Sequence, residues 1–101
     1  MTEKWADFAI SAVEYSNNPK HIVRVAMRLD QGETLGNAAE MTRTAVINWI
    51  AAGYSVATVY RKDGKWFRGA DVQIVVRDGT RYIRTDADRI KADNLGSLPG
   101  L

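Results

Sequence analysis

Two Asp-Gly pairs, Asp63-Gly64 and Asp78-Gly79, each stand between short runs rich in β-branched and aromatic residues, and they constrain the fold more than any other feature. A two-residue connection of this kind takes positive φ at its centre and matches the twist of an antiparallel pair. It predicts that Trp66-Phe67-Arg68 folds back on Tyr60-Arg61, and that Thr80 to Thr85 folds back on the run ending at Arg77. Tyr54 to Lys62 opens this set. Gly69 interrupts the returning strand as a bulge or bend, and Asp71 to Arg77 resumes it with Val72, Ile74 and Val76 on one face. Three consecutive antiparallel strands are expected.

Upstream, Phe8 to Tyr15 and His21 to Leu29 flank the break Ser16-Asn17-Asn18-Pro19-Lys20 and read as a further hairpin. Val23, Val25, Met27 and Leu29 fall on one face of the second run, with Arg24 and Arg28 on the other, as strand alternation requires. Glu33 to Glu40 has no firm period and reads as a loop. Thr42 is then a good N-cap, Met41 and Val46 are spaced for a hydrophobic staple, and Gly53 supplies a left-handed stop. These signals predict a helix from about Arg43 to Ala52, with Val46, Ile47 and Ile50 as its apolar stripe, Trp49 and Ala51 at the margins, and Asn48 and Arg43 facing water.

The expectation is an α+β domain with a mainly antiparallel sheet of about five strands, in the chain order β-β-α-β-β-β. One helix packs on one face, and the other face is partly open. The chain of 101 residues fits one domain, with residues 86–101 an irregular tail whose leucines dock on it. Cysteine is absent, which removes thiolate metal sites and cysteine nucleophiles and suits a reducing cytoplasm. The opening Met1 to Asp7 is acidic and mixed where a secretory signal needs a basic and then an apolar stretch, so a cytoplasmic location is expected. The longest apolar tract, around Ala45 to Ala52, is far short of the ~20 residues that span a bilayer, so no membrane partner is expected.

Chemistry is sparse. His21 is the only histidine, and no Gly-x-Ser-x-Gly elbow accompanies it, so no nucleophile and base can be paired. The tail contains Asp86, Asp88 and Asp93, and its Asp-x-Asp opening resembles that of a calcium loop. Ile90 and Lys91 then stand where the loop needs an oxygen ligand and a glycine, and no Glu stands at the twelfth position, which is Ser97. Gly32-Glu33-Thr34-Leu35-Gly36 lacks the spacing and the lysine of a phosphate loop. The sequence therefore offers no catalytic, cofactor-binding or metal-ligating set, and the expectation leans away from an enzyme. Carboxylate pairs formed by folding are the one catalytic route left open.

Net charge is only +2, but its distribution is uneven. Between Arg43 and Arg84 lie eight basic residues and three acids, a local +5, while residues 1–42 come to −2. The basic residues crowd the hairpin tip Arg61-Lys62-Asp63-Gly64-Lys65-Trp66-Phe67-Arg68. Cations there bind phosphates, and flat rings stack on bases. Arg61, Lys62, Lys65, Trp66 and Arg68 are accordingly the candidate residues for nucleic acid or another partner. The plainer reading is that Trp66 or Phe67 packs inward and the lysines protect a strand edge. A third reading is self-association through an unpaired edge, with Tyr54 to Arg61 or Phe8 to Tyr15 as the edges.

The stretch Tyr82-Ile83-Arg84-Thr85-Asp86-Ala87-Asp88, followed by Ala92-Asp93-Asn94-Leu95-Gly96-Ser97-Leu98-Pro99, resembles a family of small bacterial proteins catalogued as a domain of unknown function. Ala9-Ile10-Ser11-Ala12-Val13, Ile22-Val23-Arg24-Val25 and Met41-Thr42-Arg43 also resemble the family pattern. The resemblance implies a bacterial or phage-related origin and a stand-alone domain that closes on an Asn-Leu-x-x-Leu-Pro segment, and it carries no functional residue across. In that segment Leu95 and Leu98 would plug a groove, Asn94 bond a turn and Pro99 stiffen the end. The leading expectation is a non-enzymatic binding or structural module.

Overall fold

The computed structural model describes residues 5–16, 21–32, 34–85, 93, 95 and 98–101. Its elements are β1 (Phe8–Tyr15), β2 (Ile22–Leu29), β3 (Ala39–Thr42), α1 (Arg43–Ala51), β4 (Val56–Lys62), β5 (Lys65–Asp71), β6 (Gln73–Arg77) and β7 (Thr80–Arg84). The break at 17–20, the acids Asp86 and Asp88, and Asn94 lie outside the described residues.

A five-stranded sheet has the order β3-β2-β1-β4-β5, and β6 and β7 form a separate two-stranded sheet. The main sheet is mixed: β1 and β4 run parallel, with Phe8, Ala9 and Ile10 opposite Val56, Ala57 and Thr58, and its other pairs are antiparallel. Both Asp-Gly turns form as expected. Asp63 and Gly64 have φ of 52° and 76°, Asp78 and Gly79 of 51° and 78°, the left-handed values such a two-residue turn requires. Arg61 pairs with Trp66 and Tyr60 with Phe67.

Several expectations need correction. Glu33 to Glu40 is not all loop, because Ala39–Thr42 is a strand whose Met41 pairs with Val25. The three final runs do not make one sheet: Val72 breaks the line between β5 and β6, and its N–H goes to the Val56 carbonyl at 2.8 Å. The chain turns a corner there, which leaves Val76 55% exposed, whereas Val72 is buried. Val23 and Leu29 are also exposed, so only Val25 and Met27 of that face are core. Neither proposed edge is an edge. Phe8–Tyr15 is the central strand and β4 is interior, because the chain returns through β3 and α1 to lay β4 beside β1.

The helix is capped as the residues dictate: Thr42 is extended and its hydroxyl accepts the Ala45 N–H at 3.2 Å, a contact worth ~1 kcal/mol. Val46 and Ile47 join Ile10, Val25, Met27 and Val56 in the buried cluster, and Ile50 packs against it. Phe8, Trp49 and Tyr54 form an aromatic group with centroid separations of 5.0 to 5.8 Å. Arg43 does not face water. Its guanidinium turns inward to Asp93, whose side chain is 0% exposed.

Asp93 ties three elements together. Its carboxylate accepts the Ile22 N–H at 2.8 Å, the Ile83 N–H at 2.9 Å and Arg43 Nε at 2.7 Å, clamping the starts of β2 and α1 to β7. Leu95 is buried in the main cluster and Leu98 packs against it. Val13 then donates to the Pro99 carbonyl at 3.0 Å and accepts from the Leu101 N–H at 3.1 Å.

Candidate functional site

β4 pairs with β1 only as far as Thr58, and beyond it the end of the chain takes the β1 edge at Val13. The β4–β5 hairpin therefore leaves the sheet as an arm. If it continued straight, Trp66 would lie toward the start of β2. Instead Trp66 meets Arg28, near the end of β2, whose guanidinium carbon is 5.0 Å from the ring centroid. The arm curls across the sheet face that carries Ala9, Ala26, Arg28, Ala57 and Val59, and the alanines make room for it. Ala9, Ala26, Ala57 and Val59 are buried, so this face is less open than the sequence suggests.

A bulge permits the curl. Gly69 and Ala70 together oppose Thr58, and the Thr58 hydroxyl accepts the Ala70 N–H at 3.0 Å. A Cβ at position 69 would stand closer than 3.0 Å to Thr58 Oγ1 and 3.1 Å from the Thr58 carbonyl oxygen. Only glycine fits without a shift, as the sequence reading of a bulge implies.

The structure brings all five candidate residues onto the arm. Arg61, Lys62, Lys65 and Arg68 are exposed and Trp66 is half-buried. Arg61 lies 5.6 Å from the Trp66 centroid, so two guanidiniums, its own and that of Arg28, attend one indole. Arg68 is paired with Asp71. Among the described residues, no carboxylate lies within ion-pair distance of Arg61, Lys62 or Lys65. On the arm's other face Tyr60 and Phe67 stack at 5.6 Å with an interplanar angle of 19°, and they are 47% and 40% exposed. Four of the eight central basic residues therefore lie on the arm, while Arg84 is buried, Arg43 is bound to Asp93, and Arg77 and Arg81 belong to the β6–β7 hairpin.

Arg24 behaves differently from Arg28. Glu14 takes its guanidinium by hydrogen bonding and by charge, and Glu40 adds a further charge, so its pKa is raised above the ordinary arginine value. Arg28 instead bonds the Ser11 hydroxyl at 3.2 Å and the Gly36 carbonyl at 3.1 Å. Sequence reasoning missed Arg28 and the exposed Tyr60, because their roles arise from pairing across strands. The acid Asp93, weighed there as a metal ligand, is occupied by Arg43 and two main-chain donors.

Fold and site together define a small α+β domain with a basic, aromatic arm and a C-terminal clamp. The chain matches the family described as "Protein of unknown function (DUF3892)" over residues 9–99, and it belongs to that family. No curated protein and no solved structure matches it at a significant level.

Proposed function

We propose that this is a cytoplasmic, non-enzymatic binding module whose ligand is single-stranded nucleic acid, held on the β4–β5 arm. The carrying observation is the set of exposed cations Arg61, Lys62 and Lys65, free of acidic partners among the described residues, beside an exposed aromatic pair. Arg61, Lys62, Lys65 and Arg68 take phosphates, and Trp66, Tyr60 and Phe67 offer rings to bases. Long flexible cations on an exposed hairpin tip suit a backbone that varies in shape.

Self-association through an edge is the weaker reading, because β5 carries Lys65, Arg68 and Asp71 and the other edge, β3, has four residues including Glu40. Charges and short strands are the usual protection against edge pairing. The test is a salt titration of binding to labelled single-stranded DNA and RNA. Each neutralised phosphate contributes roughly −0.7 to the slope of log K against log salt, so four contacts give a slope near about −3. Absence of affinity at low salt overturns the reading.

A further inference from the structure

Asp30 is a buried carboxylate that phosphate binding by the arm does not use. It accepts the N–H groups of Trp5 at 2.8 Å, Ala6 at 3.3 Å and Gly32 at 2.9 Å. Three donors on one carboxylate meet its charge and fix the chain on both sides of it, the approach to β1 and the turn after β2. The consequence is positional: Trp5 is held where its indole, with Leu35, Thr34, Lys65 and Trp66, lines a cavity of ≈ 290 Å³. The curled arm forms one wall of this cavity, since Lys65 and Trp66 belong to β5 and the other lining residues lie near the two ends of the Asp30 clamp.

The chemistry of the cavity is specific in kind. Its size lies at the lower end of the ~300–1,000 Å³ of small-molecule sites, enough for a single ring system. Trp5, Trp66 and Leu35 offer apolar surface; Lys65 brings a cation and Asp30 a carboxylate already bonded by three N–H groups, while Arg28 and Arg61 add cations behind the lining, against the Trp66 ring. Those three cations oppose an ammonium ligand in an aromatic cage. They favour a flat ring that carries an anion.

We propose that this cavity is a subsite for one nucleobase of the bound strand, with Asp30 as the residue that positions Trp5 and Lys65 as the partner of the adjacent phosphate. This rests on the nucleic-acid reading of the arm and adds a base-dependent component to it. The experiment compares a short single-stranded DNA with a fully abasic strand of the same phosphate count, at low salt, by fluorescence anisotropy. The intact strand is expected to bind roughly 5- to 150-fold more tightly for one stacked base. Trp5→Ala, which keeps the main-chain bond to Asp30, is expected to lower that preference by at least roughly 5-fold and to leave the abasic affinity unchanged. If Trp5→Ala lowers the unfolding temperature, Trp5→Phe provides the same readout, with a smaller preference than wild type. Equal affinity for both strands overturns the subsite and leaves the phosphate reading standing. No affinity for either strand overturns both. A preference undiminished by loss of the Trp5 ring places the stacking on Tyr60 and Phe67 alone and overturns the subsite.

Discussion

Replacing Asp93 with alanine is expected to remove a large fraction of the domain's stability. The carboxylate is inaccessible to water and holds two main-chain N–H groups, of Ile22 and Ile83, whose residues are themselves buried. It also holds Arg43 through Nε at 2.7 Å and a second nitrogen at 3.3 Å. Removing it strands two donors at about 1–3 kcal/mol each and leaves a half-buried guanidinium without its anion. Breaking such a pair from one side costs about 3–5 kcal/mol, and because the losses share one site they do not add, so about 3–5 kcal/mol is the expected total. Against the ~5–15 kcal/mol of a typical domain this is severe. At roughly 4–8 °C per kcal/mol for a chain of this size, the unfolding temperature falls by about 12–40 °C, read by circular dichroism. Asp93→Asn is expected to lose most of the same amount, since its amide nitrogen must face a donor. Combining Asp93→Ala with Arg43→Ala is expected to cost less than the sum of the two, by more than about 1 kcal/mol. A drop of under about 5 °C for Asp93→Ala, or strict additivity in the double variant, refutes the clamp.

Other predictions follow from the same geometry. Gly69→Ala is expected to destabilise the domain by about 1–3 kcal/mol in a urea titration, and Thr58→Ala in the same chain to recover part of that by removing the hydroxyl the new methyl meets. Leu95→Ala is expected to cost about 2–5 kcal/mol, because Leu95 is fully within the core cluster although it lies in the C-terminal segment. Arg61→Gln and Lys62→Gln are each expected to weaken strand binding whatever its base sequence, and to flatten the salt slope by about 0.7, with no change in unfolding temperature for Lys62→Gln and a fall of a few degrees for Arg61→Gln, which loses its contact with Trp66.

What could be read from the sequence was what local chemistry decides. Asp63-Gly64 and Asp78-Gly79 dictate their hairpins because few other pairs accept those φ values, and Thr42 dictates its helix start through one side-chain bond. Phe8–Tyr15 and Ile22–Leu29 were legible from their apolar and β-branched content. What escaped was decided at long range. Ala39–Thr42 has only Met41 half-buried, so no apolar alternation marks it, and it is a strand because β2 offers it hydrogen bonds. The parallel register of β1 with β4 depends on a connection through β3 and α1 that no short window contains. Asp93 sits in sequence between Ala92 and Asn94 in a polar stretch, and nothing nearby signals burial; only its place in the family-like segment sets it apart. In the candidate site the basic residues were legible as a cluster, but the Trp66 contact with Arg28 joins residues far apart in sequence and depends on the curl of the arm.

The most direct test of the account measures the salt dependence of single-stranded DNA and RNA binding for the wild-type domain beside the Arg61→Gln, Lys62→Gln, Lys65→Gln triple variant. The account predicts a wild-type slope of about −3 and a variant slope shallower by about 2, with the variant unfolding within about 8 °C of the wild type. Equal slopes for the two proteins, or no binding by the wild type at low salt, contradict it.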